Sequence, residues 1–300
     1  MKIGYLMGHA SGPSVEGCHF LALRFDERWG FKPDTGETFV LQRVGTTAHL
    51  LYGGLGWYTG LWRSPRGSVY VAASNGEVHV KLDPEPTAGE WRVDRVAGTL
   101  AGIWGLDDKS IFTWGLRGSS TVVYRFDGTS WKEVPSPGEI VGMHGISPDL
   151  VYAVGRDGLV ARWGGKSWTK VASPARGVLS AVFVAAEDEM YAVGPNTQLL
   201  QGSLFGWSEV LEGPGPMFGV AKWRGEVWVG AAEHGLMKLA GAKLVPVKPN
   251  IKAEKLDARE DLLVSSPQAI VGTSDAASFR GIPVSGVAEV LEPVKPGWVR

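Results

Sequence analysis

Six histidines, His9, His19, His49, His79, His144 and His234, are the side chains in this 300-residue chain most readily turned to metal or acid–base chemistry. None stands in HxH, HExxH or HxxxH spacing, so no metal motif is present, although strands distant in sequence can still assemble ligands. Cys18-His19 is a cysteine–histidine pair in sequence, but neighbours on a strand point to opposite faces and cannot act as nucleophile and base. GxSxG is absent, and Gly118-Ser119-Ser120 does not satisfy it. There is no GxxxxGK[ST] and no strand–helix GxGxxG, so no phosphate loop and no cofactor is expected. Carboxylates are numerous, yet none is placed by a motif. Glu187-Asp188-Glu189 reads as a charged turn that contributes solvation.

The elements that position these groups follow from a repeat. Val69-Tyr70-Val71, Ile111-Phe112-Thr113, Val151-Tyr152-Ala153, Met190-Tyr191-Ala192 and Val227-Trp228-Val229 each centre on an aromatic. Those aromatics lie 42, 40, 39 and 37 residues apart. Trp91, Trp131, Trp168 and Trp207 form an independent series spaced 40, 37 and 39. Two concordant series with four short β-rich runs per period are the signature of propeller blades. The stretch 141–173 shows one unit most plainly, with turns at Ser147-Pro148-Asp149, Arg156-Asp157-Gly158 and Gly164-Gly165-Lys166. The runs GLWRS (60–64), GIWGL (102–106), GMHGI (142–146), AVFVA (181–185) and GVAKW (219–223) read as the inner strands. A small residue opens each, where backbones crowd around an axis.

The fold expected is all-β, one domain over 1–300, a seven-bladed propeller of four-stranded blades. Its blades fall at about 1–56 with 294–300, 57–97, 98–137, 138–174, 175–213, 214–249 and 250–293. The N-terminal segment offers three strands, 3–9, 19–25 and 39–44. The missing inner strand is expected from Gly297-Trp298-Val299-Arg300, closing the ring, after an outer strand that ends at Ala288-Glu289-Val290-Leu291. Closure would protect strand edges from stray pairing.

Composition narrows function by exclusion. Apolar residues make up 44% of the chain, enough for a substantial core, and 42 glycines suit many tight turns. A net charge of −1 with interspersed signs lacks the basic excess of a nucleic-acid binder. One cysteine excludes an intramolecular disulfide and a multi-cysteine zinc site. The N-terminus has only a short, glycine-broken apolar run, and nothing approaches the ~20 apolar residues of a spanning helix. The reading is a cytoplasmic protein with no membrane and no nucleic-acid partner, as a monomer or weak oligomer.

The phrase Pro148-Asp149-Leu150-Val151-Tyr152-Ala153-Val154-Gly155, with Gly158, Trp163, Gly165, Trp168 and Val171, resembles the repeats of bacterial β-propeller proteins. FDGTSW (126–131) is a second copy of its third turn. The resemblance covers roughly 55–250. It implies the fold, and it implies a binding platform as the common use of such propellers, without assigning an activity. The Gly-His and Trp-Asp marks of WD40 repeats, the sialidase Asp box and the kelch pattern are absent.

Candidate binding residues are those the repeat gathers at one face and at the channel mouth. Arg117, Arg156, Asp157, Glu233 and His234, with Asn75, occupy second-to-third strand loops. Polar loops on a rigid scaffold are common binding sites, and equally they are simple soluble turns. His144 sits on an inner strand aligned with Trp62, Trp104 and Phe183, either as a channel-facing site or as channel filling. Tyr58, Trp62, Trp104 and Trp223, with Trp57, lie in or beside inner strands and offer rigid aromatic anchors. The fourth-strand tryptophans read as packing between blades. The insertion 26–38 carries Trp29 and Phe31 among charges, as a partner loop or a hairpin covering a blade edge.

The function expected is a non-enzymatic propeller that binds another protein: a scaffold, an assembly factor or an immunity protein that occludes a toxin. The alternatives are a propeller hydrolase or lyase acting on a sugar or lactone through His144 and Glu254, or a soluble lectin.

Overall fold

The computed structural model describes residues 2–30, 32, 35–82 and 90–295. Seven four-stranded antiparallel sheets follow one another along the chain as the blades of a β-propeller. Each of the five repeat-bearing blades, from 58–95 to 219–248, runs from its inner to its outer strand in sequence order. The contacts group into two compact units, 1–103 with 257–300, and 104–256.

The repeat explains the packing. Each second strand is buried on both faces; Leu150–Gly155 is buried at all six positions. In the 104–256 unit, Trp168 meets the Phe112 ring of the preceding blade edge-on at 6.0 Å, and Trp207 meets Tyr152 in the same way at 5.9 Å. In the other unit Trp91 stacks on Tyr52 of the preceding blade at 4.7 Å. In these two seams of the 104–256 unit the two sequence series are interlocking parts of one contact, the outer-strand indole lying on the second-strand aromatic of the blade before it. Aromatic pairs of this kind add about 0.5–1.5 kcal/mol beyond their burial. Trp131 packs on Phe126 of its own blade at 5.2 Å.

The small residues that open the inner strands sit where backbones meet. A Cβ on Gly142 would lie 2.8 Å from the Ser180 carbonyl oxygen, and one on Gly60 would lie 3.1 Å from the Ile103 nitrogen. Larger residues would push the inner strands of adjacent blades apart.

Both chain ends require correction. The first blade has four strands of its own, Ile3–Ser11, His19–Asp26, Glu37–Val44 and Thr47–Leu55. The fourth is joined to the third by the two-residue turn Gly45-Thr46, with Gly45 at φ 61°. Gly297–Arg300 lie outside the described residues. The outer strand of the last blade is Arg280–Pro283, and the Ala288–Leu291 run belongs to a helix, Val284–Leu291. Val284, Val287 and Leu291 share one face of it and pack on Phe20, Phe39 and Leu263.

That helix fastens the end of the chain to the first blade. The buried Arg24 donates to the carbonyl of Leu291, the last helical residue, at 3.0 Å and to the Val294 carbonyl just beyond it at 2.7 Å. Its Nε bonds the buried Glu37 carboxylate at 2.8 Å. The last blade also joins the first: Met7 N–H donates to the Pro267 carbonyl at 2.9 Å, and Val15 N–H to the Asp261 carboxylate at 3.0 Å.

Candidate functional site: an aromatic cleft in the first two blades

The expected site residues divide into three groups. Trp62 and Trp223 are packing residues, 7% and 4% exposed, against Tyr70 at 5.7 Å and Trp228 at 6.0 Å. They present almost no surface, which corrects their reading as an aromatic binding surface: an inner-strand indole facing the neighbouring strand is consumed by the blade core.

Arg156, Asp157, Glu233 and His234 are exposed on turns of the 104–256 unit, and Arg117, expected in a loop, is the exposed last residue of the strand Ser110–Arg117. Arg117 pairs with Glu133 (2.8 Å), Arg156 with Glu139 (2.5 Å) and Glu233 with Lys252 (3.2 Å). Asp157, at φ 55°, and Gly158 shape the turn beside Arg156. Exposed pairs of this sort contribute about 0–1 kcal/mol and exchange readily for a partner's charges.

Trp104 and His144 do come together, 5.6 Å apart, and Phe183 stacks on the other side of the imidazole at 4.3 Å. Nδ1 of His144 accepts the Val184 N–H at 3.1 Å, so the neutral ring carries its proton on Nε2. Glu254, paired with His144 in the enzyme alternative, faces Lys252 instead, at 3.7 Å. Among the described residues, no three His, Cys, Asp or Glu side chains are grouped to hold a metal ion. Cys18 is buried, and burial pushes its thiol up to about 12, away from nucleophilic use.

Tyr58 lies in a cleft of about 410 Å³ within the other unit. The outer strand of the first blade, Thr47–Leu55, supplies Tyr52 and Leu55. The second blade supplies Tyr58, Glu77 and His79, and Trp57 stands at the join. His79 is 3% exposed and lies 5.0 Å from both tyrosine rings, which face each other at 6.3 Å. Neither ring nitrogen of His79 has a hydrogen-bond partner. Its Nε2 stands 3.4 Å from one Glu77 oxygen; the other oxygen accepts from Arg95 at 2.7 Å. Burial pulls the His79 pKa down, and Arg95 adds to this against the pull of Glu77. Burial alone would raise the Glu77 carboxyl. Hydrogen bonds from Asn75 and Arg95 outweigh it and hold the group below its ordinary range. At neutral pH the cleft therefore holds a carboxylate and an uncharged imidazole between aromatic faces. Leu55 and Trp57 at its rim are 57% and 45% exposed.

Trp57, Tyr58 and Asn75 were visible in the sequence as candidates; Tyr52, Glu77 and His79 were not. A signal existed. In the 138–174 blade the positions equivalent to Glu77 and His79 are Leu159 and Ala161, fixed by the shared register Val71↔His79 and Ala153↔Ala161. Two polar residues thus replace two apolar ones in one blade.

The comparisons with known proteins add a fold and a partial likeness. No protein-family model matches the chain. A curated protein of Pseudomonas aeruginosa, "Immune protein Tsi7", is 27% identical over 162 residues, 51% of this chain and 50% of that protein. The chain thus spans about half the length of the curated relative it matches. Among solved structures, the WD40 β-propeller domain of Doa1 superposes with a TM-score of 0.67 at 10% identity, over 88% of this chain and 93% of that one. The structure of YCF48 bound to D1 peptide gives 0.61 at 11% identity, over 87% and 89%. At such identities these structures establish the fold alone: the chain is a seven-bladed β-propeller.

Proposed function

We propose that this chain is a protein-binding propeller of the immunity type, one that neutralises a toxic protein by occupying its surface. The observation that carries the reading is the 27% identity to Immune protein Tsi7 over 162 residues. It is supported by the solved propeller YCF48, which was captured with a peptide. Occlusion needs contact area and charge matching rather than reactive groups, and the site residues are of that kind. We assign to the partner the charges Arg117, Arg156, Asp157, Glu233 and His234 and the Trp104–His144 pair of the 104–256 unit and, separately, the cleft at Tyr58 in the other unit. The proposal includes a bacterial cytoplasmic setting, with the whole chain acting as one monomeric propeller domain. The source of Tsi7 and the lone cysteine support the setting.

Native purification followed by co-expression tests this. The expected result is one stoichiometric protein partner, toxic when produced alone and tolerated when produced with this chain. Reversing loop charges in the Arg156→Glu, Glu233→Arg double variant should weaken the complex about tenfold or more at low salt. A partner whose toxicity is unaffected, or no partner at all, would overturn the reading.

A further inference from the structure

We propose that the cleft between Tyr52, Trp57, Tyr58 and Glu77 is a cation pocket that receives a guanidinium group, an arginine side chain of the protein partner. The inference rests on the protein-binding reading and gives that reading a chemical anchor.

Charge comes first. Among the residues lining the cleft, Glu77 is the one formally charged side chain, and no lysine or arginine lines it. His79, beside it, is buried among rings and stays uncharged at neutral pH, so it does not repel a cation. Its ring nitrogens are buried and lack hydrogen-bond partners.

Shape comes second. Tyr52 and Tyr58, 6.3 Å apart, both pack against the imidazole at 5.0 Å, and the half-exposed Trp57 and Leu55 form the rim. Cations are drawn to the faces of tyrosine and tryptophan, and arginine in particular stacks its planar group on them. At about 410 Å³ the space suits a side chain or small ligand. In the 138–174 blade the equivalent residues Leu159 and Ala161 join Phe112, Trp114 and Trp163 in one apolar cluster.

Arg95 already demonstrates the preference. Its guanidinium donates to Glu77 Oε1 through Nε at 3.1 Å and through a terminal nitrogen at 2.7 Å. The Arg95 side chain is 78% exposed, so this pair is weakly held and competes with an incoming guanidinium at little cost. Both Arg95 contacts fall on Oε1, while Glu77 Oε2 is directed toward His79 at 3.4 Å.

The test uses the full chain and a small probe, N-acetyl-arginine methylamide, with the citrulline analogue as the uncharged control of the same shape. Binding is read from the Trp57 indole N–H in two-dimensional NMR, assigned with Trp57→Phe. The arginine probe should shift this signal saturably and the citrulline probe should not. Glu77→Gln should weaken binding about tenfold, and Arg95→Ala should leave it unchanged or tighter, because a competitor is gone. Equal binding of both probes, or no effect of Glu77→Gln in a chain with unchanged thermal melting, would overturn the pocket. The protein-binding reading is judged separately. If the probe fails while a partner still co-purifies, the pocket falls and the reading stands; if the probe binds and no protein partner exists, the pocket stands and the reading falls.

Discussion

The second blade and the 138–174 blade carry the same repeat and put it to opposite uses. In the latter, Leu159 and Ala161 pack in one apolar cluster with Phe112, Trp163 and Trp168. In the former, Glu77 and His79 stand at those positions, and the layer opens into a cleft walled by Tyr52 and Tyr58. The indole contact that locks neighbouring blades is kept in both, as Trp168 on Phe112 and Trp91 on Tyr52. The lesson is that a propeller can hollow one seam and keep its lock, because the outer-strand tryptophan and the third-strand pair are separate positions.

Substitutions in the two seams should separate their roles, the largest effect coming from the filled one. Trp163, 2% exposed and in contact with Phe112 and Trp168, should cost about 3–5 kcal/mol on change to alanine, measured by urea denaturation. A loss below about 1 kcal/mol would mean that the seam is not close-packed. Next, Leu159→Gln places an unpaired polar group in that seam and should cost about 1–3 kcal/mol, with Tm falling accordingly. The reverse exchange, His79→Leu, removes two unpartnered nitrogens and should be neutral or stabilising at pH 7.

Acid sharpens the contrast further. His79 has a folded pKa below the ordinary 6.5, and burial, reinforced by Arg63 and Lys81, takes His19 down to about 3. Between about pH 6.5 and 3 the unfolded chain binds protons that the folded chain refuses, so stability falls as pH drops through that window. His19→Leu and His79→Leu should each flatten the slope of Tm against pH there, and an unchanged slope in both would contradict the burial assigned to these rings. The smallest effect belongs to the rim: Trp57→Ala should alter stability by about 0.5 kcal/mol or less, because this indole is 45% exposed.

Legibility followed distance along the chain. The inter-blade role of the tryptophans was readable because Trp168 and Trp207 repeat in step with Phe112 and Tyr152, and a period survives without coordinates. The fourth strand of the first blade was missed because Thr47–Leu55 carries Gly53-Gly54 and no tryptophan of the series. The C-terminal helix was missed because Val284, Val287 and Val290 are β-formers by type, while the spacing of Val284, Val287 and Leu291 is helical. Trp62 and Trp104 align as inner-strand aromatics, yet the first is consumed by packing and the second remains half-exposed against His144.

By itself the sequence determined the repeat, the four-stranded unit and the fold, because each blade must bury both faces against neighbours and the periodic aromatics of the five central blades mark where they do so. Tertiary structure decided where a ligand could sit. Tyr52 and His79 are 27 residues apart and belong to different blades. Whether two such rings enclose an apolar core or a cleft depends on which side chains meet across the seam, and on whether a partly buried carboxylate such as Glu77 finds partners there.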